Sequence, residues 1–265
     1  MPSILDEIYA AKRAELAEQT RIAPLEAVKR QALATPMPCD FVGALARASL
    51  AVIAEIKRAS PSRGDILPGL DPVAVAHEYV DSGAAAISVL TDRHFKGSLE
   101  DLRSVRKAVE IPLLRKDFIF ESYQVYEARA AGADCILLIA AMLDESEVRD
   151  LATLAAELGL AALVEVHNAQ EFKLAEQIGA RLVGINNRDL RTFVTDIAVS
   201  ERLLADYRGE ALVVAESGIN SPSDVRRLHA AGARAFLVGE SLLSGGQPRA
   251  RLAELVHSLD ASEAK

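Results

Sequence analysis

Residues 121–139 read ESYQVYEARAAGADCILLI, and the fold follows from how this stretch divides. Its first part, Glu121 to Ala131, is alanine-rich and places its apolar residues at helical spacing. Its last part, Cys135 to Ile139, is an unbroken apolar run of strand length that starts after Asp134. Between them stands Gly132-Ala133, where glycine supplies the left-handed residue that stops a helix before the chain turns back. The same junction recurs at Gly83-Ala84, Gly179-Ala180 and Gly232-Ala233.

Outward from that unit, one rhythm of strand, loop and helix runs from about residue 50 to the end. The strands expected are Val52–Lys57, Ala86–Leu90, Pro112–Lys116, Cys135–Ile139, Ala161–Glu165, Leu182–Asn186, Leu212–Glu216 and Ala235–Val238, spaced by roughly 21 to 34 residues. Helices fall between them, among them Asp71–Ser82, Glu121–Ala131, Glu145–Glu157 and Ser221–Ala231, and Pro72 and Pro222 sit where a first helical turn accepts proline. Near-continuous apolar strands alternating with helices predict a parallel sheet covered on its outer face. Eight such units favour closure into a single (β/α)8 TIM barrel, an α/β fold that needs roughly 250 residues. The chain has 265, and no G-x-G-x-x-G follows the first strand to support a dinucleotide-binding alternative.

Half of the residues are hydrophobic and the net charge is −8, with both signs mixed along the chain. That balance predicts no nucleic-acid partner and no anionic membrane partner. The two cysteines, Cys39 and Cys135, stand far apart, and the five histidines (His77, His94, His167, His229, His257) show no ligand spacing, so no metal is expected. Asp6 and Glu7 occupy the place where a signal peptide would carry positive charge, and the longest apolar run, Cys135 to Leu143, is too short to span a bilayer. The expectation is a cytoplasmic protein, a monomer or weak homo-oligomer.

Residues 1–49 stand outside the rhythm and form an N-terminal helical extension to the barrel of residues 50–265. Ile4, Leu5, Ile8 and Ala11 make one helical stripe, Pro24-Leu25-Glu26 opens a second helix carrying Val28 and Ala32, and Asp40 caps a short third. Two readings stay open: packing against the outside or bottom of the barrel, or a lid over its top.

Barrel enzymes keep their chemistry at the C-terminal strand ends. Glu55 and Lys57 share one face of the first strand, Lys116 ends the third, Glu165 the fifth, Asn186 the sixth (with Arg188 just beyond), and Glu216 the seventh. Charges at such positions are costly to desolvate unless they are paired or used. The lysines are expected to repel one another, which would lower their pKa and ease proton donation, with Glu55 opposing that shift at Lys57. After strands seven and eight, Ser217-Gly218 and Gly239-Glu240 place glycines between a strand and a helix, the usual position of a barrel phosphate site. The loop Ser60 to Asp65 reads either as a passive connection or as a mobile flap, and His167 reads as structural.

These segments together resemble the indole-3-glycerol phosphate synthase family. Glu55-Ile56-Lys57-Arg58-Ala59-Ser60-Pro61-Ser62 is similar to its signature segment, and Arg115-Lys116-Asp117-Phe118, Glu165-Val166-His167, Gly184-Ile185-Asn186-Asn187-Arg188, Ala215-Glu216-Ser217-Gly218-Ile219 and Leu237-Val238-Gly239-Glu240-Ser241 follow in the family's order. The resemblance implies a cofactor-free carboxy-lyase of tryptophan biosynthesis acting on a small phosphorylated substrate. It also implies Lys116 as general acid, Glu165 as acid–base partner in the dehydration, and Lys57 on the substrate carboxylate. Glu55, Asn186 and Glu216 would orient these groups. Ser60, Ser217, Gly218, Gly239 and the backbone of Glu240 would hold phosphate, while Phe118 and Leu137, with Phe95 possible, would line the ring pocket. Glu240's side chain is expected to point away from phosphate. Alternatives from the same fold are phosphoribosylanthranilate isomerase, which would want a cysteine where Lys57 stands, and a Schiff-base aldolase. A catalytically silent scaffold barrel would lack one of the strand-end charges.

Overall fold

A computed structural model describes residues 4–60 and 64–259, with side chains described from Glu7 onward and not at Ser60. Every apolar run named above becomes a strand: β1 (Ala51–Ile56), β2 (Ala86–Leu90), β3 (Leu113–Lys116), β4 (Cys135–Ile139), β5 (Ala161–Val166), β6 (Leu182–Asn186), β7 (Leu212–Glu216) and β8 (Ala235–Val238). They pair in sequence order, all parallel, and β1 closes the barrel by pairing with β8 (Ala51 beside Ala235) as well as β2 (Ile53 beside Ala86).

The helices around the sheet are α4 (Pro72–Asp81), α5 (Leu99–Ala108), α6 (Ser122–Ala130), α7 (Glu145–Glu157), α8 (Ala169–Gln177), α9 (Ala198–Leu204), α10 (Pro222–Ala231), α11 (Glu240–Leu243) and α12 (Pro248–Val256). Their ends follow local chemistry. Asp71 accepts hydrogen bonds from the first-turn amides of Val73 and Ala74, and Ser221 and Asp144 form reciprocal caps with Asp224 and Glu147. The four Gly-Ala junctions hold glycine at φ between +71° and +119°, a conformation that disfavours any other residue.

Two packed layers result. Ile53, Leu114, Cys135, Leu137, Leu163, Leu182, Val214 and Leu237 fill the barrel interior, while alternate residues such as Val52, Ala54, Ile136, Leu138 and Val164 pack outward against the helices. The interior phase continues to the top of each strand. Ile53 is followed in phase by Glu55, Leu114 by Lys116, Leu163 by Glu165, Gly184 by Asn186, and Val214 by Glu216. On these five strands the last layer of the barrel filling is therefore polar, while Leu90 and Ile139 keep it apolar on β2 and β4.

The extension divides between two ends of the barrel. In α3 (Phe41–Arg47), capped by Asp40, Phe41 and Leu45 join the interior cluster at the N-terminal strand ends beside Ala51, Leu182 and Ala235, and close the bottom. α2 (Leu25–Ala34) packs on α6. α1 (Ile4–Ile22) reaches the top rim, where Tyr9 meets Phe120 at 4.7 Å and Lys12 enters the loops after β2 and β3. Its buried side runs through Ile8, Lys12 and Leu16, whereas Ala11, assigned to the buried stripe from sequence, is exposed. Ile8 keeps its place in the expected stripe, the side chains of Ile4 and Leu5 lie outside the described residues, and Ala11 was misplaced because the buried face centres on a lysine. Among the described residues, none of the extension lines the mouth of the barrel, so α1 braces the rim rather than covering it. No described helix is long and apolar enough to cross a membrane.

Candidate active site

The polar top layer opens into a cavity of about 310 Å³. Lys116, Glu165, Lys57, Glu55, Asn186 and Glu216 line it, as do Ser217, Gly218, Gly239, Glu240, Phe118, Leu137, Arg188 and Phe95. Ser60 is the one candidate whose side chain lies outside the described residues; its backbone pairs with Gly64 in a two-residue hairpin that joins Ala59–Ser60 to Gly64–Asp65. The flap reading spans residues 60–65, of which 61–63 also lie outside the described residues.

Lys116 stands at the centre. Its Nζ lies 3.7 Å from Glu165 Oε2, 3.7 Å from Glu216 Oε2 and 3.8 Å from Glu55 Oε2, while Lys57 Nζ lies 2.8 Å from Glu55 Oε1. Among the described residues, neither buried oxygen of Glu216 has a hydrogen-bond partner, and Oε2 faces the longer contact to Lys116. Asn186 turns its Oδ1 to accept the backbone N–H of Arg188 at 3.0 Å, and Arg188 reaches Glu240 at 3.6 Å.

This geometry reverses the expected lysine electrostatics. Burial alone would push Lys116 down, but Glu165, Glu55 and Glu216 together outweigh it and raise the pKa. Carboxylates, rather than the other lysine, are its near neighbours. Among the acids, burial pushes all three up; Lys57 and Lys116 outweigh that at Glu55, and Lys116 and His167 outweigh it at Glu165, so both are lowered. Glu216 has burial and the negative charges of Glu165 and Glu55 against it and is raised. Three carboxylates therefore share a pocket in environments that part their affinities for a proton, which is what acid–base chemistry requires.

The opposite wall is built from the loops after β7 and β8. Ser217 and Gly218 both take positive φ (+63° and +78°), and Ser241 Oγ donates to Ile219 O at 2.7 Å, tying one loop to the other. A Cβ at Gly239 would sit 2.5 Å from Glu55 Oε1, so the backbone there comes close to the charged cluster. The Glu240 side chain turns to Arg188, whose charge compensates it. The apolar end is formed by Phe118 stacked on Phe95 (6.3 Å, 24°) with Leu137.

Sequence reasoning missed Leu190, Phe193 and Thr195, which line the cavity from the loop after β6. Asp189 organises that loop by accepting from the amides of Arg191 (2.7 Å) and Thr192 (3.1 Å), and Phe193 sits at φ +57°. An Asp at a turn start is the only local signal, and it says nothing of which way Phe193 faces. His167, read from sequence as structural, does not line the cavity, and its ring lies 3.3 Å from Glu165 Oε1.

The family pattern described as indole-3-glycerol phosphate synthase matches residues 5–255. A protein of that name from Acidithiobacillus ferrooxidans is 50% identical over 254 residues, covering 94% of this chain and 96% of its own length. One from Polaromonas naphthalenivorans is 45% identical over 260 residues, covering 96% and 99%. Among solved structures, a thiamine phosphate pyrophosphorylase from Pyrococcus furiosus superposes with a TM-score of 0.60 at 18% identity, covering 84% of this chain and 98% of that one, a likeness of fold alone.

Proposed function

The chain belongs to the indole-3-glycerol phosphate synthase family and is a carboxy-lyase of tryptophan biosynthesis, and we propose that Lys116 and Glu165 carry its proton transfers. The reaction closes the ring of 1-(2-carboxyphenylamino)-1-deoxyribulose 5-phosphate, releasing carbon dioxide and water to leave indole-3-glycerol phosphate. The observation that carries the site assignment is the meeting of Lys116 with Glu55, Glu165 and Glu216 inside one mouth, across from the glycine loops.

In this reading the substrate is folded between two anchors. Phosphate binds at the backbone of Gly218, Gly239 and Glu240 with Ser217 and Ser60, and Arg188 adds positive charge. The aromatic ring lies on Phe118 and Leu137. Holding both ends brings the ring carbon that bears the carboxylate against the ketone carbon, and such positioning supplies much of the rate. As the carbon–carbon bond forms, the ketone oxygen gains charge and takes the proton of Lys116. Lys57 pairs with the substrate carboxylate, which then leaves as carbon dioxide. Glu165 accepts the proton released as the hydroxyl departs as water, with Lys57 as the donor to that hydroxyl. Glu55 holds Lys57, and Asn186 and Glu216 orient the sugar hydroxyls.

A lysine kept as an ammonium ion by three carboxylates is a poor nucleophile, which speaks against the Schiff-base alternative. Residues 1–49 serve as a bracing extension of the catalytic barrel of residues 50–265. The two free cysteines, Cys39 and Cys135, support a cytoplasmic enzyme, and a monomer or weak homo-oligomer is part of the same proposal.

Fluorescence detection of indole-3-glycerol phosphate tests this reading. Wild type forms product, and Lys116→Ala loses turnover by about 10² to 10⁴ while retaining substrate binding. Near-normal turnover in the variant removes Lys116 from its role.

A further inference from the structure

Glu165 has two basic neighbours, one on each oxygen. Oε2 faces Lys116 at 3.7 Å, and Oε1 faces His167 Nε2 at 3.3 Å. His167 follows Glu165 in phase at the top of β5, does not line the cavity, and is held from behind by the first turn of α8. Its Nδ1 lies 3.1 Å from Glu171 Oε2, the same oxygen accepts the His167 backbone N–H at 2.7 Å, and Glu171 Oε1 accepts from Asn168 Nδ2 at 2.5 Å.

These contacts decide the protonation of the ring. Glu171 is surrounded by donors, so Nδ1 must supply a proton to it. Nε2 is buried, lies off the hydrogen-bond line to Glu165 and has no other hydrogen-bond partner among the described residues. A neutral ring would leave the Nε2 lone pair beside a carboxylate oxygen; a protonated ring turns that repulsion into an ion pair. Two anionic partners on two ring nitrogens call for two ring protons.

We propose that His167 is a positioning residue for the reaction, an imidazolium clamped between Glu171 and Glu165 that keeps Glu165 an oriented carboxylate throughout turnover. The inference rests on the reading of Glu165 as the acid–base group. Lys116 cannot do this work alone, because its charge is shared among three carboxylates and disappears when it protonates the substrate. At that moment Glu165 would compete for a proton before the dehydration needs it as a base. His167 keeps its charge through that step, because Glu171 stabilises it independently of Lys116. The charged groups facing the ring are Glu165 on β5, Glu171 on α8, Asp189 in the loop after β6 and Glu216 on β7. In keeping with this, Glu165 and Glu171 outweigh burial and raise the His167 pKa to about 10.

The test compares His167→Asn, Glu171→Gln and Glu165→Gln by pH-dependent turnover, with nitrogen NMR of the histidine rings in the wild type and Glu171→Gln. Both His167 nitrogens should be protonated at pH 7.5 in the wild type, and Glu171→Gln should shift the ring's titration toward neutrality. His167→Asn should lower kcat roughly tenfold with KM little changed. It should also raise the acidic limb of the kcat profile by about one to three pH units, the effect of losing an adjacent opposite charge. Glu171→Gln keeps the ring in place and should move the same limb in the same direction. A neutral His167 ring at pH 7.5, or a wild-type kcat and acidic limb in His167→Asn, overturns the proposal. If His167→Asn shows no effect while Glu165→Gln is crippled, the inference alone fails. Near-normal turnover in Glu165→Gln removes the reading beneath it.

Discussion

Gly184 on β6 leaves the space that the Glu216 carboxylate occupies: a Cβ there would stand 2.1 Å from Glu216 Oε1 and 3.2 Å from Leu163 Cδ1. The carboxylate is buried at the wall of the cavity it lines. Gly184→Ala is therefore expected to displace Glu216 within the mouth, and a displacement near 1 Å costs about a hundredfold in turnover. Steady-state kinetics beside a thermal melt checks this. A melt that drops while specific activity of the folded fraction stays normal would count against it.

Lys12 ties the extension to the catalytic rim. Its Nζ lies 2.7 Å from Asp92 Oδ2 and 2.8 Å from Asp117 Oδ1, and Asp117 also accepts from Thr91 Oγ1 (2.6 Å), Arg115 (3.0 Å) and the Phe118 amide (2.9 Å). Lys12→Met removes the cation that two buried carboxylates share, and removing one partner of such a network costs about 3–5 kcal/mol. Urea unfolding should show that loss at neutral pH. Burial pushes Asp117 up, but Arg115 and Lys12 outweigh it and hold it below its ordinary value. Its stabilisation is thus present above that ordinary value and fades as pH falls through the folded one, so the deficit of Lys12→Met should shrink in acid. Turnover should fall too, since Asp117 lies between Lys116 and Phe118.

Glu216 illustrates the opposite sign. Burial and its acidic neighbours raise its pKa, so the folded protein holds this proton more tightly than the unfolded chain. Stability is lost as pH climbs from the ordinary carboxylate value through the folded one. Glu216→Gln cannot ionise, and its melting temperature should exceed that of the wild type by more at pH 8.5 than at pH 5. Turnover should fall in the same variant. An equal difference at both pH values would contradict the assignment.

The stacked pair of Phe118 and Phe95 makes the apolar end of the cavity. Phe118→Ala removes a side chain whose burial against a ligand is worth about 1.5–3 kcal/mol. It should lower kcat/KM by roughly tenfold to a hundredfold, mostly through KM. A kcat effect with KM unchanged would place Phe118 in the chemistry rather than in binding.

The amino-acid sequence determined the architecture because each βα unit declares itself locally. An apolar run, a capped alanine-rich helix and a left-handed glycine are short-range features, and eight repeats in a parallel arrangement leave closure as the natural outcome. It also placed Glu55, Lys57, Lys116, Glu165, Asn186 and Glu216 at strand ends, since residues two apart share a face and the barrel interior lies on that face. What it could not decide were the relations between charges on different strands. From spacing alone the lysines looked like each other's neighbours. In the folded chain Lys116 meets three carboxylates instead, and its pKa moves the other way. The same holds for Lys12, a cation in the buried face of a helix, for Phe193 on an irregular loop, and for His167. Their surroundings come from residues distant in sequence or from loop directions that no periodicity encodes, and electrostatic energies depend on those separations within a few ångströms.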